Sequence, residues 1–320
     1  MSDFAVRLED AFGADRIRRN SSLAPFTTFK VGGPADWLVT VRSGDEVRRA
    51  VAIARDGGVP ITVLGGGSNV LVADGGVRGL VLRIHGGEVQ LVDQGTVRAD
   101  AGVTINGLVR WTISHGVAGI ESWAGTPGTV GGAIYGNAHF QGRLIAELLI
   151  RVRLLTTDGE ERIVDNADME FGYDYSRLHR TREVVLSADF AVRAGEPSAL
   201  REVARQSLAF RKRTQPLEKS SAGCIFQNPD PAHDQVPAGI PWSAGALVDR
   251  AGLKDSSEGG ARVSSRHGNF IVNDGSASAA DIARLIARCR TAVRRQFGVE
   301  LRDEIVRIGF GRESYGDSEG

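Results

Sequence analysis

The stretch GTPGTVGGAIYGN, from Gly125 to Asn137, carries five glycines in thirteen residues. A second glycine-rich stretch, LGGGSNV from Leu64 to Val70, directly follows a predicted strand. Glycine has no Cβ and reaches positive φ, so several backbone N–H groups can approach one phosphate group. The hydroxyl groups of Ser68 and Thr129 add further donors. Two loops of this kind are able to clamp a pyrophosphate from both sides.

Neither loop follows another common nucleotide-binding pattern. LGGGSNV is not GxGxxG, because Val70 occupies the position after Asn69, and no Gly-Lys pair follows as GxxxxGK[ST] requires. The chain lacks CxxC and HExxH, and its six histidines show no metal-ligand spacing, so no metal site is predicted. For either loop taken alone, a purely structural turn remains the alternative.

The composition excludes several classes of partner. The 39 basic and 39 acidic residues balance, and the sequence has no basic stripe of the kind that indicates nucleic-acid binding. The cluster Arg211–Arg213 suits one phosphate-bearing ligand. No apolar run is long enough to cross a bilayer, and residues 1–20 lack the apolar core of a signal peptide. Only Cys224 and Cys289 occur, which makes a disulfide scaffold improbable and favours a cytoplasmic protein.

Local patterns predict an α+β chain. A strand at Trp37–Val41, a helix opened by the capping pair Ser43 and Glu46, and a strand at Ile61–Leu64 form a β-α-β beginning. From about Leu80, strands joined by tight turns predominate and favour antiparallel pairing, and one helix at about 105–113 interrupts them. They include a hairpin around Asp158-Gly159 and a strand at 184–192. The break at 195–198 precedes a helix, and an amphipathic helix carrying Cys289 on its apolar side ends at Gly298.

Seven segments, taken in order, carry a resemblance to a known family. They are TTFKVGGPADWLV (Thr27–Val39), LGGGSNVLVADGGVRGLVL (Leu64–Leu82), AGTPGTVGGAIYGNA (Ala124–Ala138), Glu170–Tyr173, RTQPLEKSSAGCIFQNP (Arg213–Pro229), GGARVSSRHGNFIVN (Gly259–Asn273) and FGVELRDEI (Phe297–Ile305). The series, which spans roughly 24–309, resembles the UDP-N-acetylenolpyruvoylglucosamine reductase family. That family belongs to the PCMH/vanillyl-alcohol-oxidase superfamily of FAD-binding proteins.

The resemblance implies a two-lobed FAD-binding domain of PCMH type followed by an α+β substrate-binding domain. The expected boundaries are an N-terminal segment at 1–24, the FAD-binding domain at 25–195 with lobes of about 25–82 and 83–195, the substrate-binding domain at 196–310 and a polar tail at 311–320. The short connection before RTQPLE is similar to the family's second type, which lacks an added tyrosine loop over the substrate.

The resemblance also implies FAD as cofactor, NADPH as co-substrate and a UDP-sugar as substrate in peptidoglycan precursor synthesis. The residues expected to hold FAD are Gly65, Gly66, Gly67, Ser68, Asn69, Gly128, Thr129, Gly132 and Asn137. In the family reaction NADPH reduces the flavin, which then gives a hydride to the enolpyruvyl group. Negative charge accumulates beside the substrate carboxylate, and a proton must reach the adjacent carbon.

Two residues match the catalytic positions of the family. Cys224 matches the proton donor, which is most often serine, and a thiol with an ordinary pKa of about 8.5 releases a proton more readily than an alcohol does. Glu304 matches the C-terminal glutamate, although Asp303 replaces the usual proline before it. Cys289 is expected to be a buried apolar side chain.

The third catalytic position departs from the family. Where the family has Tyr-Arg-x-Ser, this chain has Tyr173-Asp174-Tyr175-Ser176, so an acid replaces the arginine that stabilises the intermediate. Arg177, three residues later, is the candidate replacement.

For the substrate, Asn228 matches a family position and Arg211 is expected to meet the UDP diphosphate through its guanidinium fork. His267 matches a family position and is expected to order its loop.

Three other functions remain open at this point. The FAD fold also serves alcohol oxidases, whose flavin is often tethered to histidine; the cysteine-bearing substrate domain argues against this reading. A flavoprotein that binds a UDP-sugar without turnover would account for the missing arginine. A thiol hydrolase would pair Cys224 with His233 or His267 and would be colourless.

Overall fold

The chain contains both helices and strands in the computed structural model, which describes residues 3–311. The helices are α1 (Asp3–Phe12), α2 (Gly44–Asp56), α3 (Ile105–Ser114), α4 (Val130–Tyr135), α5 (Leu178–Thr181), α6 (Pro197–Thr214), α7 (Ala244–Arg250) and α8 (Ala279–Phe297). The strands are β1 (Ile17–Ser22), β2 (Pro34–Val41), β3 (Ile61–Leu64), β4 (Val70–Val72), β5 (Val77–Ile84), β6 (Val89–Asp93), β7 (Thr96–Asp100), β8 (Val117–Ala118), β9 (His139–Phe140), β10 (Arg143–Leu144), β11 (Leu149–Leu155), β12 (Glu161–Asp165), β13 (Val184–Ala191), β14 (Arg193–Ala194), β15 (Ser257–Glu258), β16 (Ala261–Val263), β17 (Ile271–Asn273) and β18 (Val306–Ile308).

The predicted β-α-β beginning is confirmed by β2, α2 and β3. Their sheet has the order β1-β2-β5-β3, and β3 runs parallel to β5. The Ser43 hydroxyl accepts a hydrogen bond from the Glu46 N–H at 3.3 Å and so caps α2. In a capping box the Glu46 carboxylate would accept from the N–H of Ser43. Here it accepts instead from the N–H of Arg42, one residue earlier, at 2.8 Å.

A second sheet, with the order β12-β11-β13-β7-β6, is antiparallel throughout, as the turn pattern predicted. Gly159, at φ 86°, makes the tight β11–β12 connection. The helix predicted near 105–113 is α3, whose N-cap Thr104 accepts from the Gly107 N–H at 3.0 Å. These elements therefore follow from local sequence signals.

The C-terminal elements are organised around α8. Ser278 and Asp281 cap its start reciprocally, and Gly298, at φ 72°, ends it. Its buried side includes Ile282, Leu285, Ile286, Cys289 and Val293. Near it lie the three-stranded sheet β15-β16-β17 and the parallel pair β4-β18.

The chain divides into two compact units that are interleaved in sequence. The first comprises Met1–Arg19, Trp37–Gly66 and Gly79–Arg213, and the second comprises Asn20–Asp36, Gly67–Arg78 and Thr214–Gly320. Each has its own apolar core, with Trp123 and Phe190 among the largest side chains in the first and Phe29 and Phe226 in the second.

The unit boundaries differ from the predicted domain boundaries, and two of the differences concern α6 and α1. The predicted boundary at 195 precedes α6, but Leu200 and Ala204 of α6 lie in the core of the first unit. The predicted N-terminal segment begins with α1, which contributes Phe4 and Leu8 to the same core. The predicted polar tail lies, apart from Gly311, outside the described residues.

Within residues 3–311, no helix combines the length and the apolar composition needed to cross a bilayer.

Candidate active site

The two glycine-rich loops contact each other in the first unit. A Cβ added to Gly66 would lie 2.7 Å from the Cα of Gly128, and one added to Gly65 would lie 2.5 Å from the Thr129 hydroxyl oxygen. Contacts this short are not compatible with a larger side chain. The close approach of the two loops therefore requires glycine at Gly66.

Backbone donors line this approach. Thr129 is the N-cap of α4, and its hydroxyl accepts from the Gly132 N–H at 3.5 Å. Within the described chain, the N–H groups of Gly66, Gly128 and Thr129 have no hydrogen-bond partner. Amide groups without a protein acceptor, next to residues that lack a Cβ, are suited to donate hydrogen bonds to an anion. The residues of the first unit therefore fit the pyrophosphate of FAD.

Asn137, at the end of the second glycine loop, is buried and bonded within the protein. Its Nδ2 donates to the Gly172 carbonyl at 2.8 Å, and its Oδ1 accepts from the Ala146 N–H at 3.3 Å. The side chain expected to bind the cofactor thus also ties its loop to the turn that follows Gly172.

The remainder of the first glycine loop belongs to the second unit. Gly67 has φ 64°, and a Cβ there would overlap the Phe26 carbonyl oxygen. Asn69 donates from Nδ2 to the Glu304 carbonyl at 3.0 Å, and its own carbonyl accepts from the Val306 N–H at 2.9 Å. The amide of Asn69 consequently fixes the backbone of the predicted catalytic glutamate.

Cys224 and Glu304 lie on neighbouring extended segments of the second unit. The Glu304 N–H donates to the Ile225 carbonyl at 2.8 Å, and Phe226 pairs with Asp303. Cys224 is half-buried. The structure thus brings together the segments that carry the predicted proton donor and the predicted glutamate.

Asn269 holds the segment of Cys224 in place and was missed by the sequence analysis. Its buried amide accepts from the Phe226 N–H at 2.9 Å and donates to the Phe226 carbonyl at 2.7 Å. Its backbone carbonyl accepts from the Ile225 N–H at 2.9 Å. Asn269 lies in the segment 259–273 that carried the resemblance, but its partner lies 43 positions away. The hydrogen-bonding role could therefore not be read from local pattern.

Asp303, which replaces the usual proline before the glutamate, has a structural use. Its two carboxylate oxygens accept from Arg290 at 2.6 Å and from Arg307 at 2.8 Å. This double ion pair connects α8 to the start of β18 and so stiffens the segment that carries Glu304.

Asp174 lies at the tip of a tight turn in the first unit. Gly172 and Tyr175 exchange backbone hydrogen bonds at 3.0 and 3.4 Å, and Asp174 has φ 52°. One oxygen of its carboxylate lies 3.1 Å from Nδ1 of His139. The position of the family arginine therefore holds an acid paired with a histidine that the sequence analysis did not single out.

Arg177, the candidate replacement for that arginine, is held by other groups. Its Nε donates to the buried Glu183 carboxylate at 3.1 Å, and its Nη1 donates to the Asp168 carbonyl at 3.2 Å. It occupies the N-cap position of the short helix α5, without a side-chain capping bond. These contacts indicate that Arg177 orders its own loop.

Arg211 is buried rather than solvated. Its Nη2 donates to the Thr126 hydroxyl at 2.6 Å, and its guanidinium lies 3.7 Å from the centre of the Phe140 ring. Phe140 also borders a cavity of about 720 Å³ lined by three arginines, Arg143, Arg193 and Arg213. Arg211 thus connects the second glycine loop to a basic cavity.

The two remaining candidates contact backbone groups of the second unit. The Asn228 Oδ1 accepts from the Ala244 N–H at 3.1 Å, at the start of α7. Nδ1 of His267 accepts from the Asn269 N–H at 3.2 Å, which agrees with the expected ordering of its loop. Burial, with a smaller contribution from the Lys254 charge, lowers the pKa of His267 and favours the neutral imidazole. His233 is exposed and paired with Asp230.

Comparison with known families first defines the class of protein. Residues 35–165 match the family described as FAD binding domain. This region contains both glycine-rich loops and the helices α2, α3 and α4. The class is therefore that of FAD-binding flavoproteins.

Comparison with individual proteins then defines the family. Residues 215–308 match the C-terminal domain of UDP-N-acetylenolpyruvoylglucosamine reductase. The chain is 38% identical to the reductase of that name from Moorella thermoacetica, over 91% of this chain and 92% of the relative, and 37% identical to that from Bacillus subtilis, over 93% and 95%. The solved reductase of Thermus caldophilus superposes with a TM-score of 0.75 at 34% identity, covering 92% of this chain and 99% of that one. The chain belongs to the UDP-N-acetylenolpyruvoylglucosamine reductase family.

Proposed function

We propose that this chain reduces UDP-N-acetylglucosamine enolpyruvate to UDP-N-acetylmuramate, with NADPH as reductant, in peptidoglycan precursor synthesis. The observation that carries the proposal is the similarity to named reductases over more than nine tenths of both chains. It includes the C-terminal region, where an oxidase that shares only the FAD-binding fold would differ.

The glycine-rich loops are proposed to hold FAD. The unpartnered N–H groups of Gly66, Gly128 and Thr129 are suited to its pyrophosphate oxygens, and Gly67, Ser68 and Asn69 continue the first loop. Bound FAD would supply hydride transfer from NADPH to the enolpyruvyl double bond. The protein's part is to hold these reactants and to manage the charge and the proton.

Cys224 is proposed to give the proton to the carbon next to the substrate carboxylate. Its half-buried position is consistent with this role, and the segment that carries it is fixed on one side by Asn269 and on the other by the backbone of Glu304. Such fixing holds a proton donor in one orientation, which general acid catalysis requires. Glu304 is proposed to act beside it, on backbone fixed by Asn69.

Arg211 and Asn228 are proposed to bind the UDP part of the substrate. The basic cavity beside Phe140 adds three guanidinium groups in the first unit, and guanidinium forks match phosphate oxygens. We expect the protein to act in the cytoplasm, because the low cysteine content and the nucleotide substrates fit that compartment.

The proposal is tested by steady-state turnover of the flavin-loaded protein. NADPH oxidation should depend on UDP-N-acetylglucosamine enolpyruvate, and the product should be heavier than the substrate by two hydrogen atoms in mass spectrometry. A flavoprotein that binds this substrate without consuming NADPH would instead support the non-catalytic alternative, which the replacement at Asp174 favours.

A further inference from the structure

The pair formed by His139 and Asp174 is built into the first unit. Nδ1 of His139 lies 3.1 Å from one Asp174 oxygen, and the Asp174 side chain is only 8% exposed. The other oxygen of this carboxylate is buried and, within residues 3–311, makes no hydrogen bond. A buried carboxylate with so few donors depends strongly on a positive partner.

The backbone around the pair is held firmly. Asp174 has φ 52°, a conformation that costs free energy for a residue other than glycine and persists only where its surroundings impose it. The Asn137 amide ties Gly172 to the second glycine loop, and the Ser176 hydroxyl donates to the Tyr135 carbonyl at 2.7 Å. The turn of Asp174 is thereby fastened to the segment that leads into His139.

Two arginines near the turn form ion pairs with other carboxylates, and a second histidine there is neutral. Arg177 pairs with Glu183, and Arg180 pairs with Glu170 at the surface. His179 stacks on Tyr135, and its pKa is lowered by burial, so its imidazole is neutral at pH 7. His139 faces the Asp174 carboxylate, with the Tyr173 ring 5.2 Å from its own. The Asp174 charge also acts on His179, where it opposes the effect of burial on the pKa.

A carboxylate next to one imidazole nitrogen favours the protonated ring and fixes its orientation. Because the two ring nitrogens lie on opposite sides, Nε2 of His139 is directed away from Asp174. In the Ser-His-Asp triad, likewise, an aspartate binds one ring nitrogen of a histidine and the other nitrogen takes part in the reaction.

We propose that His139, oriented by Asp174, supplies the positive hydrogen-bond donor that the arginine of Tyr-Arg-x-Ser supplies in the family. Its imidazolium stabilises the negative charge that accumulates beside the substrate carboxylate, and Asp174 is a positioning residue. The inference rests on the proposed function. It explains how an acid can occupy the position of an arginine, because the positive charge is carried by His139, the partner of Asp174.

The test is anaerobic stopped-flow on flavin-loaded protein, which separates flavin reduction by NADPH from reoxidation by UDP-N-acetylglucosamine enolpyruvate. In His139→Ala, reduction should keep the wild-type rate and reoxidation should slow by ~100-fold, the effect of losing one stabilising donor. His139→Gln, which keeps a hydrogen-bonding amide but no charge, should show the same loss. The matched control His115→Ala, at the exposed end of α3, should change neither rate.

The double variant His139→Ala/Asp174→Arg decides between a charge role and a structural one. It returns the family arginine and should recover most of the reoxidation rate, which a merely structural role of His139 would not predict. The inference is overturned if His139→Ala and His139→Gln reoxidise like the wild type, or if the double variant is no faster than His139→Ala. Wild-type protein that NADPH bleaches but the substrate does not reoxidise would instead overturn the proposed function itself.

Discussion

The two cysteines of the chain lie in opposite chemical surroundings. Cys289 is buried on α8, and burial raises the pKa of its thiol to about 12. Cys224 is half-buried and follows Gly223, whose φ of 81° turns the chain into the segment beside Glu304. A thiol that serves as proton donor must be reachable by substrate, and only the surroundings of Cys224 allow this.

We expect Cys224→Ala to slow reoxidation of the reduced flavin by substrate by at least ~100-fold, because a positioned proton donor contributes that much. Flavin reduction by NADPH should be unchanged. Cys224→Ser, which restores the residue usual in the family, should keep most of the activity, and Cys289→Ala serves as control. Equal losses in both half-reactions of Cys224→Ala would count against the proton-donor role.

The pH dependence of stability should include His267. Burial, and then the Lys254 charge, lower its pKa in the folded protein, whereas the unfolded chain titrates near ~6.5. Below ~6.5 the unfolded state therefore binds more protons, and the free energy of unfolding decreases as the pH falls towards the lowered pKa.

Urea unfolding at pH 7.5 and pH 5.5 measures this contribution. His267→Gln, which keeps an acceptor for the Asn269 N–H, should lose less stability on acidification than the wild type. An identical loss in both proteins would show that His267 does not contribute.

At the scale of elements, the close contact between the glycine-rich loops predicts that a larger residue at Gly66 weakens FAD binding. Gly66→Ala places a Cβ 2.7 Å from the Gly128 Cα, so the loops must separate and their N–H groups lose the arrangement suited to a pyrophosphate. Overpacking of this kind typically costs about 1–3 kcal/mol, so we expect FAD affinity to fall at least ~5-fold. Gly75→Ala, where an added Cβ meets no atom within 4 Å, is the matched control in a flavin fluorescence titration. Equal affinities in the two variants would contradict the assignment of the loops.

The loop around α5 should depend on Arg177 for stability. Arg177→Ala leaves the Glu183 carboxylate, only 5% exposed, without its ion pair, and we expect a loss of ~2 kcal/mol in urea unfolding. Arg180→Ala, which breaks an exposed pair with Glu170, should cost less stability than Arg177→Ala does. Reoxidation by substrate should be retained in Arg177→Ala; a selective loss of that rate would return Arg177 to the catalytic residues.

The elements that local signals define were predicted well from the sequence. Ser43 and Gly298 mark helix ends through bonds to residues three or four positions away, and the Asp158-Gly159 hairpin is equally local. The pairing of His139 with Asp174 could not be predicted, because it joins residues 35 positions apart through the fold. The hydrogen bonds between Asn269 and Phe226 could not be predicted either, because these residues are also far apart in the sequence.

At the scale of the whole molecule, the chain crosses between its two compact units several times. The segments 20–36 and 67–78 group by their contacts with the C-terminal half, although the sequence placed 20–24 in the N-terminal segment and 25–36 and 67–78 in the FAD-binding domain. Sequence patterns indicate elements in chain order, whereas compact units are defined by burial between distant segments. The division at 213/214 rather than at 195 has the same origin, since the apolar side of α6 packs into the first core.

The central claim is that this chain passes a hydride from NADPH through FAD to the enolpyruvyl group of a UDP-sugar. The most direct test is anaerobic stopped-flow on the wild-type protein, with flavin absorbance as the signal and with NADPH added before UDP-N-acetylglucosamine enolpyruvate. We predict that NADPH bleaches the flavin and that the substrate then restores its absorbance. Bleaching without restoration, or a protein that cannot be loaded with FAD, would contradict the claim.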